Sequence, residues 1–408
     1  MNYKIKFIFI LFIAPYAILA QYSGTGSVTK GKAKTVLTNL YSCAGGRITG
    51  IGEITSSDSL KWVVPAEVNF NNSSFPFSSD LNNSCNGSNY TTTQTALSKL
   101  NGSDIVLIDS FGEVFTAFIF ADNYFEMYVN GVQVGKDKVP FTQFNSSIVR
   151  FKVKKPFTIA MMLVDWEENL GLGSELNGGF AYHPGDGGVV ATIIDNQNKI
   201  VATTNADWRV QTYYTAPIKD LTCLSEVGKY RYSSNCNHSD VNDGSQFFGI
   251  HWKLPNNWYQ KDFIDTFWPF ATTYLNSEIG VDNKPAYTNF KDIFDQTGFD
   301  AQFIWTSNVI LDNLILVRYK VGESNQSSVI SNEKTNWNIP NPVADLIQLP
   351  FELKKIGQIY LMNTTGKMVI LHSNNQGIID VSNLSDGVYF MTFIINDRLH
   401  SQKLVIQK

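Results

Sequence analysis

The chain has 408 residues, of which only 17% are charged and 13% aromatic, with a formal net charge of −4. Globular proteins usually carry about 25% charged residues, and no cluster of Lys and Arg stands out. The sequence thus lacks the phosphate-neutralising surface of a nucleic-acid protein and the polybasic patch that an anionic membrane attracts.

Residues 1–20 read as a signal peptide. Lys4 and Lys6 precede the apolar run Phe7–Ile13, and Ala17-Ile18-Leu19-Ala20 offers small residues for cleavage before Gln21. The run is too short to span a bilayer. Residues 22–36, small and polar without period, are expected to form a flexible lead-in. The span 21–103 is expected to be an N-terminal β region packed on, or leading into, a larger sandwich at 104–321. It contains short alternating runs such as Leu60–Val64 and a polar tract from Asn71 to Tyr90.

The four cysteines, Cys43, Cys85, Cys223 and Cys236, all lie between the leader and residue 237. An even count in an exported chain favours two disulfides, and four cysteines permit three connectivities. Nearest-neighbour pairing is preferred. No two cysteines have the close C-x₂₋₄-C spacing of a zinc site.

From residue 104 the strands sharpen. Ile105–Ile108, Phe115–Phe120, Phe125–Val129, Val149–Val153, Phe157–Val164, Gly188–Ile194, Lys199–Thr203, Phe247–Trp252, Ala301–Trp305 and Leu314–Tyr319 are short, β-branched or aromatic, and bounded by turn residues. Asn130-Gly131 between Val129 and Val132 is a strong type I′ hairpin signal, because that turn needs positive φ at both positions. No segment before 339 sustains a helical period with caps, so helix should be scarce. The fold class expected is all-β: a jelly-roll-like sandwich, permuted or double, followed by a small Ig-like β-sandwich.

The stretch Ala121–Gly135, with Asp122, Asn123 and Val129-Asn130-Gly131, resembles the Ala-Asp-Asp…Tyr-Val-Asn-Gly hairpin of galactose-binding-like jelly rolls. A second stretch, Trp258, Asp265, Trp268-Pro269, Ala271, then Ile304-Trp305 and Val317-Arg318, is similar to another part of those modules, in reversed order. The resemblance implies carbohydrate binding. The candidate ligand contacts are Asp122, Asn123, Trp166, Asn169, Trp258 and Tyr259. Trp258, in the turn-like Pro255–Tyr259, either stands exposed to stack on a sugar ring or is buried in the core.

Three further groups have residue types suited to chemistry. Asp165–Glu175 concentrates acids beside Trp166, and Asp165 with Glu167 forms the alternative catalytic pair for a glycoside hydrolase-like enzyme, in which one acid protonates the leaving oxygen. Solvated acids at a strand end are the plainer account. Asp240, Asn242 and Asp243, like Tyr182–Gly188, could supply oxygen ligands to Ca²⁺, although ordinary Asx turns explain both strings. The central histidines, His183, His238 and His251, are too dispersed for a zinc motif. No cofactor is assigned.

Residues 322–338 are Ser- and Asn-rich and read as a linker. After them come Asn341-Pro342, Gly366-Lys367, the run Leu384-Ser385-Asp386-Gly387-Val388-Tyr389, and the closing strand that begins at Lys403. In this order, over 339–408, these motifs resemble the type A C-terminal sorting domain of the type IX secretion system. The resemblance implies Asn341, Pro342, Gly366, Gly387, Tyr389 and Lys403 as sorting-signal residues, the type IX machinery as partner, and a secreted or outer-membrane-surface destination reached through the periplasm. The function expected is a non-catalytic, exported carbohydrate-binding protein with an extracellular glycan as partner. A polysaccharide-acting enzyme and a structural or adhesive surface protein are the alternatives.

Overall fold

The structure is a computed structural model and describes residues 22–44, 47–141, 143–176, 183–227, 229–237, 244–295, 300–322, 339–350, 359–363, 368–371, 377–395 and 398–408. The leader, the linker from 323, the loop with Asp240, Asn242 and Asp243, and Gly366 lie outside these residues.

Two large sheets form the body. One has seven strands in the order Ser27–Lys30, Phe248–His251, Arg209–Ile218, Asp312–Val321, Phe157–Val164, Tyr124–Val129, Val132–Lys136, each antiparallel to its neighbours. The other has eight, along the path Thr272–Tyr274, Phe303–Trp305, Gly188–Ile194, Glu113–Asp122, Ser146–Val153, Ser79–Asn82. Ile200–Thr203 pairs beside Gly188–Ile194, and Ile105–Leu107 pairs parallel to Ser146–Val153. The hairpin at Asn130-Gly131 forms as expected, with φ of 48° and 86° at the two turn residues and Val129 opposite Val132.

The core between the sheets takes alternate side chains. Phe125, Met127 and Val129 point inward from one strand and Ile159, Met161 and Leu163 from its neighbour. They meet Phe115, Ala117 and Ile119 of the facing sheet. The seven-stranded sheet is also covered on its outer face. There Tyr124, Tyr128, Ala160, Met162 and Val164 pack beneath Val64, Phe70, Phe75, Trp258 and Trp268. Burial on both faces explains why Phe157–Val164 is apolar at every position but Thr158 and does not alternate.

Polar groups pin that cover. Glu126, fully buried, accepts from the Asn69 backbone N–H and Nδ2 and from the hydroxyls of Tyr124 and Tyr128. Opposite it in register, Lys136 Nζ donates to the carbonyls of Asn69, Phe70 and Asn72 at 2.7–2.8 Å. The expectation of a flexible lead-in fails. Ser27–Lys30 is an edge strand on Phe248–His251, and Thr29 and His251 are hydrogen-bonded at 2.9 Å. Among the described residues, helices are limited to short turns, among them Thr93–Leu97, Pro285–Thr288 and Lys291–Phe294.

Both disulfides form in the preferred pairing, Cys43–Cys85 and Cys223–Cys236. The C-terminal unit has its own core, including Ile347, Ile359, Leu361, Ile379, Met391, Leu404 and Ile406. Its sheets pair Leu346–Gln348 with Ile378–Asp380, and order Met368–Leu371, Ile359–Asn363, Gly387–Ile395 and Arg398–Ile406. The motif residues have structural reasons. The Asn341 amide donates to the Lys403 carbonyl at 3.0 Å and accepts the Val405 N–H at 2.8 Å, closing the unit's start onto its last strand. The Tyr389 hydroxyl donates to the Ser385 carbonyl at 2.9 Å.

Candidate functional site

The chain leaves the eight-stranded sheet at Asp122 and enters the seven-stranded sheet at Tyr124, so Asn123 alone makes the crossing, through a cis Asp122–Asn123 peptide. Three hydrogen bonds fix it. The Asn123 N–H donates to the Val164 carbonyl at 3.1 Å, its side-chain oxygen accepts the Trp166 N–H, and its amide donates to the Asp122 carboxylate. Because Val164 ends its strand here, Asp165 follows directly into the same corner.

The loop beyond is held from inside. Glu167 accepts the N–H groups of Gly171 and Leu172 at 3.0 Å each, that of Gly173, and the Tyr214 hydroxyl at 3.2 Å. Gly171 and Gly173 take positive φ of 91° and 54°, so this tight loop can present three donors to one carboxylate. Burial pushes Glu167 up to about 7 despite these bonds. Its oxygens are thus bonded to the loop and to Tyr214. Asn169 is buried likewise and bonds Ser174.

The loop returns as Ser174–Glu175, paired with His183–Pro184, which delivers Glu175 and Asp186 to the corner. A Cβ placed on Gly185 would lie 3.2 Å from Asp165 Oδ1 and 3.2 Å from Glu175 Oε1, so those two carboxyls converge there. Arg47 ion-pairs with Glu175 and lies 3.8 Å from Glu168.

A pocket of about 230 Å³ opens at this corner. Asp122, Asn123, Glu175, Asp186, Gln143 and Arg47 supply its polar groups, and Phe141 and Phe144 its aromatic ones. The Arg47 guanidinium sits 5.5 Å from the Phe141 ring, and Lys284 Nζ 4.2 Å from the Phe144 ring. Burial, then Asp186 and Glu175, raise Asp122 well above the carboxylate range. Burial, then Glu175 and Asp122, do the same to Asp165, whose Oδ1 has no hydrogen-bond partner. Glu175 and Asp186 are raised by burial too, opposed at Glu175 by Arg47 and at Asp186 by Lys284. Carboxyls, amides and a guanidinium together offer both acceptors and donors, as hydroxyl-rich ligands require. Among the described residues no three His, Cys, Asp or Glu side chains are arranged to hold a metal ion.

The candidates do not share one face. Asp122 and Asn123 line the pocket. Trp166 lies behind it, buried, with Nε1 donating to the Gly50 carbonyl at 3.0 Å. Trp258 and Tyr259 pack on Tyr128 at 5.3 and 4.8 Å, at the opposite end of that strand. Trp258 is 5% exposed and presents no free ring to a sugar. Its turn is drawn inward because the Arg318 guanidinium donates to the Trp258 carbonyl and pairs with Asp265 at 2.7 Å. Glu175 and Asp186 stood within the acid- and Gly-rich strings of the sequence. Arg47, Gln143 and Phe144 carried no local signal, since tertiary pairing alone brings them here.

Residues 339–407 match the family model of the secretion system C-terminal sorting domain. That domain addresses the chain to the type IX machinery, for secretion or export to the outer-membrane surface. Among the described residues no helix is long and apolar enough to cross a membrane. No curated protein and no solved structure matches the chain.

Proposed function

We propose that this type IX-exported protein binds carbohydrate, without reacting with it, in the pocket at the Asp122–Asn123 crossing. The observation that carries the reading is the composition of that pocket: carboxyl, amide and guanidinium groups set beside Phe141 and Phe144 in a small concavity. Ligand pockets join a few convergent polar groups to aromatic walls in this way. Asp122 and Asp186 would accept sugar hydroxyls, Asn123 and Gln143 would donate, and the exposed part of Phe144 would meet a pyranose C–H face.

A glycan array followed by calorimetry tests this. Asp122→Asn should weaken binding at least about tenfold, or about 1.4 kcal/mol, with melting temperature unchanged or raised because a buried repulsion is relieved. A silent array, or full affinity in Asp122→Asn, would overturn it. The catalytic alternative draws on one observation, the raised, unpartnered carboxyl of Asp165 beside Glu175. Turnover of any polysaccharide that Asp165→Asn abolishes would establish it in place of simple binding.

A further inference from the structure

We propose a second, separate binding site, for an anionic polysaccharide, in the groove between the hairpin of Ser225–Val227 and Tyr230–Tyr232 and the segment 253–268. The groove encloses about 840 Å³, toward the upper end of the roughly 300–1,000 Å³ typical of ligand clefts. It owes its floor to the outer face of the strand Arg209–Ile218, from which Gln211 and Tyr213 project. Its far wall is the segment that the Arg318–Asp265 pair draws onto the sheet. The Trp- and Asn-rich string of the sequence thus helps to line a groove, with Trp258 braced beneath and other side chains facing out.

The chemistry of the lining selects the ligand. Ile264 is 64% exposed, and with Phe263 and Phe267 it offers apolar faces. Asn256, Asn257 and Gln260 offer amides for hydroxyls. Two lysines line the groove with them: Lys229, whose Nζ stands 4.8 Å from the Phe267 ring, and Lys253. Among the described residues neither lysine pairs with a carboxylate. Arg231, deeper in, is already committed to the Thr212 carbonyl and to the rings of Tyr213 and Trp252 at 4.6 and 4.5 Å. Asp262 is the one acid among the lining residues. A neutral sugar would use the amides and rings and leave both ammoniums idle. A chain bearing carboxylate or sulfate groups would use all three, across an open groove that suits an extended polymer. In a protein that is acidic overall, such a site must act through local charge, so its binding should be screened by salt.

The test uses the full exported protein with three glycans: oligogalacturonate for carboxylate, chondroitin sulfate for sulfate, and neutral dextran. Either anionic glycan should bind, more weakly at high salt, and dextran should bind at least about tenfold less. Lys229→Glu with Lys253→Glu, both at exposed positions, should abolish that binding with the melting temperature kept. Asp122→Asn should leave it intact, which separates this site from the Asp122 pocket. The proposal fails if dextran binds as well as the anionic glycans, if neither anionic glycan binds, or if the double variant binds like the parent. It also fails if a single-stranded oligonucleotide displaces the glycan at equal charge concentration, since that would report charge alone.

Discussion

Burying the Glu167 carboxylate carries a desolvation cost, and the three loop N–H groups and the Tyr214 hydroxyl offset it. Glu167→Ala would leave those donors buried without an acceptor. It should cost on the order of 3 kcal/mol in a urea titration, with Glu167→Gln costing less because one oxygen remains. The same burial sets a pH dependence. Glu167 and Asp137 are pushed up to about 7 and Asp312 to about 6, in each case chiefly by burial. Each therefore holds a proton in the folded state that the unfolded chain has already released. Their stabilising contribution is complete below about pH 4 and is lost as pH rises toward 7. His251 runs the other way: burial lowers it from 6.5 to about 3, so its contribution is present above 6.5 and lost as pH falls. Between about pH 8 and 6.5 the carboxyls outweigh His251, whose unfolded form is at most half protonated there, and stability should rise on acidification. A melting temperature that falls across that interval would contradict these assignments. At this scale the sequence displayed the acids at Asp165–Glu175 but not their division of labour. Which carboxyl is spent on a loop and which faces a pocket depends on where the loop returns, and Gly171 and Gly173 decide that through φ.

The segment 258–268 depends on Arg318. It is fully buried, with Asp265, three backbone carbonyls and the Phe263 ring around it. Arg318→Met would strand Asp265 and those carbonyls, and breaking a buried pair in this way costs about 3–5 kcal/mol. Denaturant unfolding should show that loss, and proteolysis should concentrate at 258–268. The two disulfides differ in reach, closing 42 and 13 residues. In the chain-entropy account the first contributes about 4 kcal/mol and the second about 3, so Cys43→Ser/Cys85→Ser should lower the denaturation midpoint more than Cys223→Ser/Cys236→Ser. Elements with a strong local code were legible: the Asn130-Gly131 hairpin, the apolar strand Phe157–Val164, and Gly188–Ile194. The strand Arg209–Ile218 was not, because Gln211, Thr212 and Pro217 break its pattern and its partners on either side are remote in sequence. Ser27–Lys30 looked like lead-in for the same reason, since an edge strand is specified by the strand it joins.

Among the described residues, two large hydrophobic clusters flank the seven-stranded sheet, a small one gathers Ile218, Cys236 and Leu311, and another belongs to the C-terminal unit alone. The all-β class and the sorting domain could be read from strand spacing and from four ordered motifs. The pocket could not, since Arg47, Asp122, Phe144 and Asp186 are remote in sequence and only the tertiary fold brings them together. The sandwich body and the C-terminal unit each bury a core of their own, so they are expected to fold independently. Deleting 339–408 in a host that has the type IX machinery tests it most directly, by following location, disulfide status and glycan binding of the truncated protein together. The expected result is a folded, fully disulfide-bonded protein held in the periplasm that binds the same glycans as the exported form. Normal secretion of the truncated chain, or a retained chain that is unfolded, would contradict it.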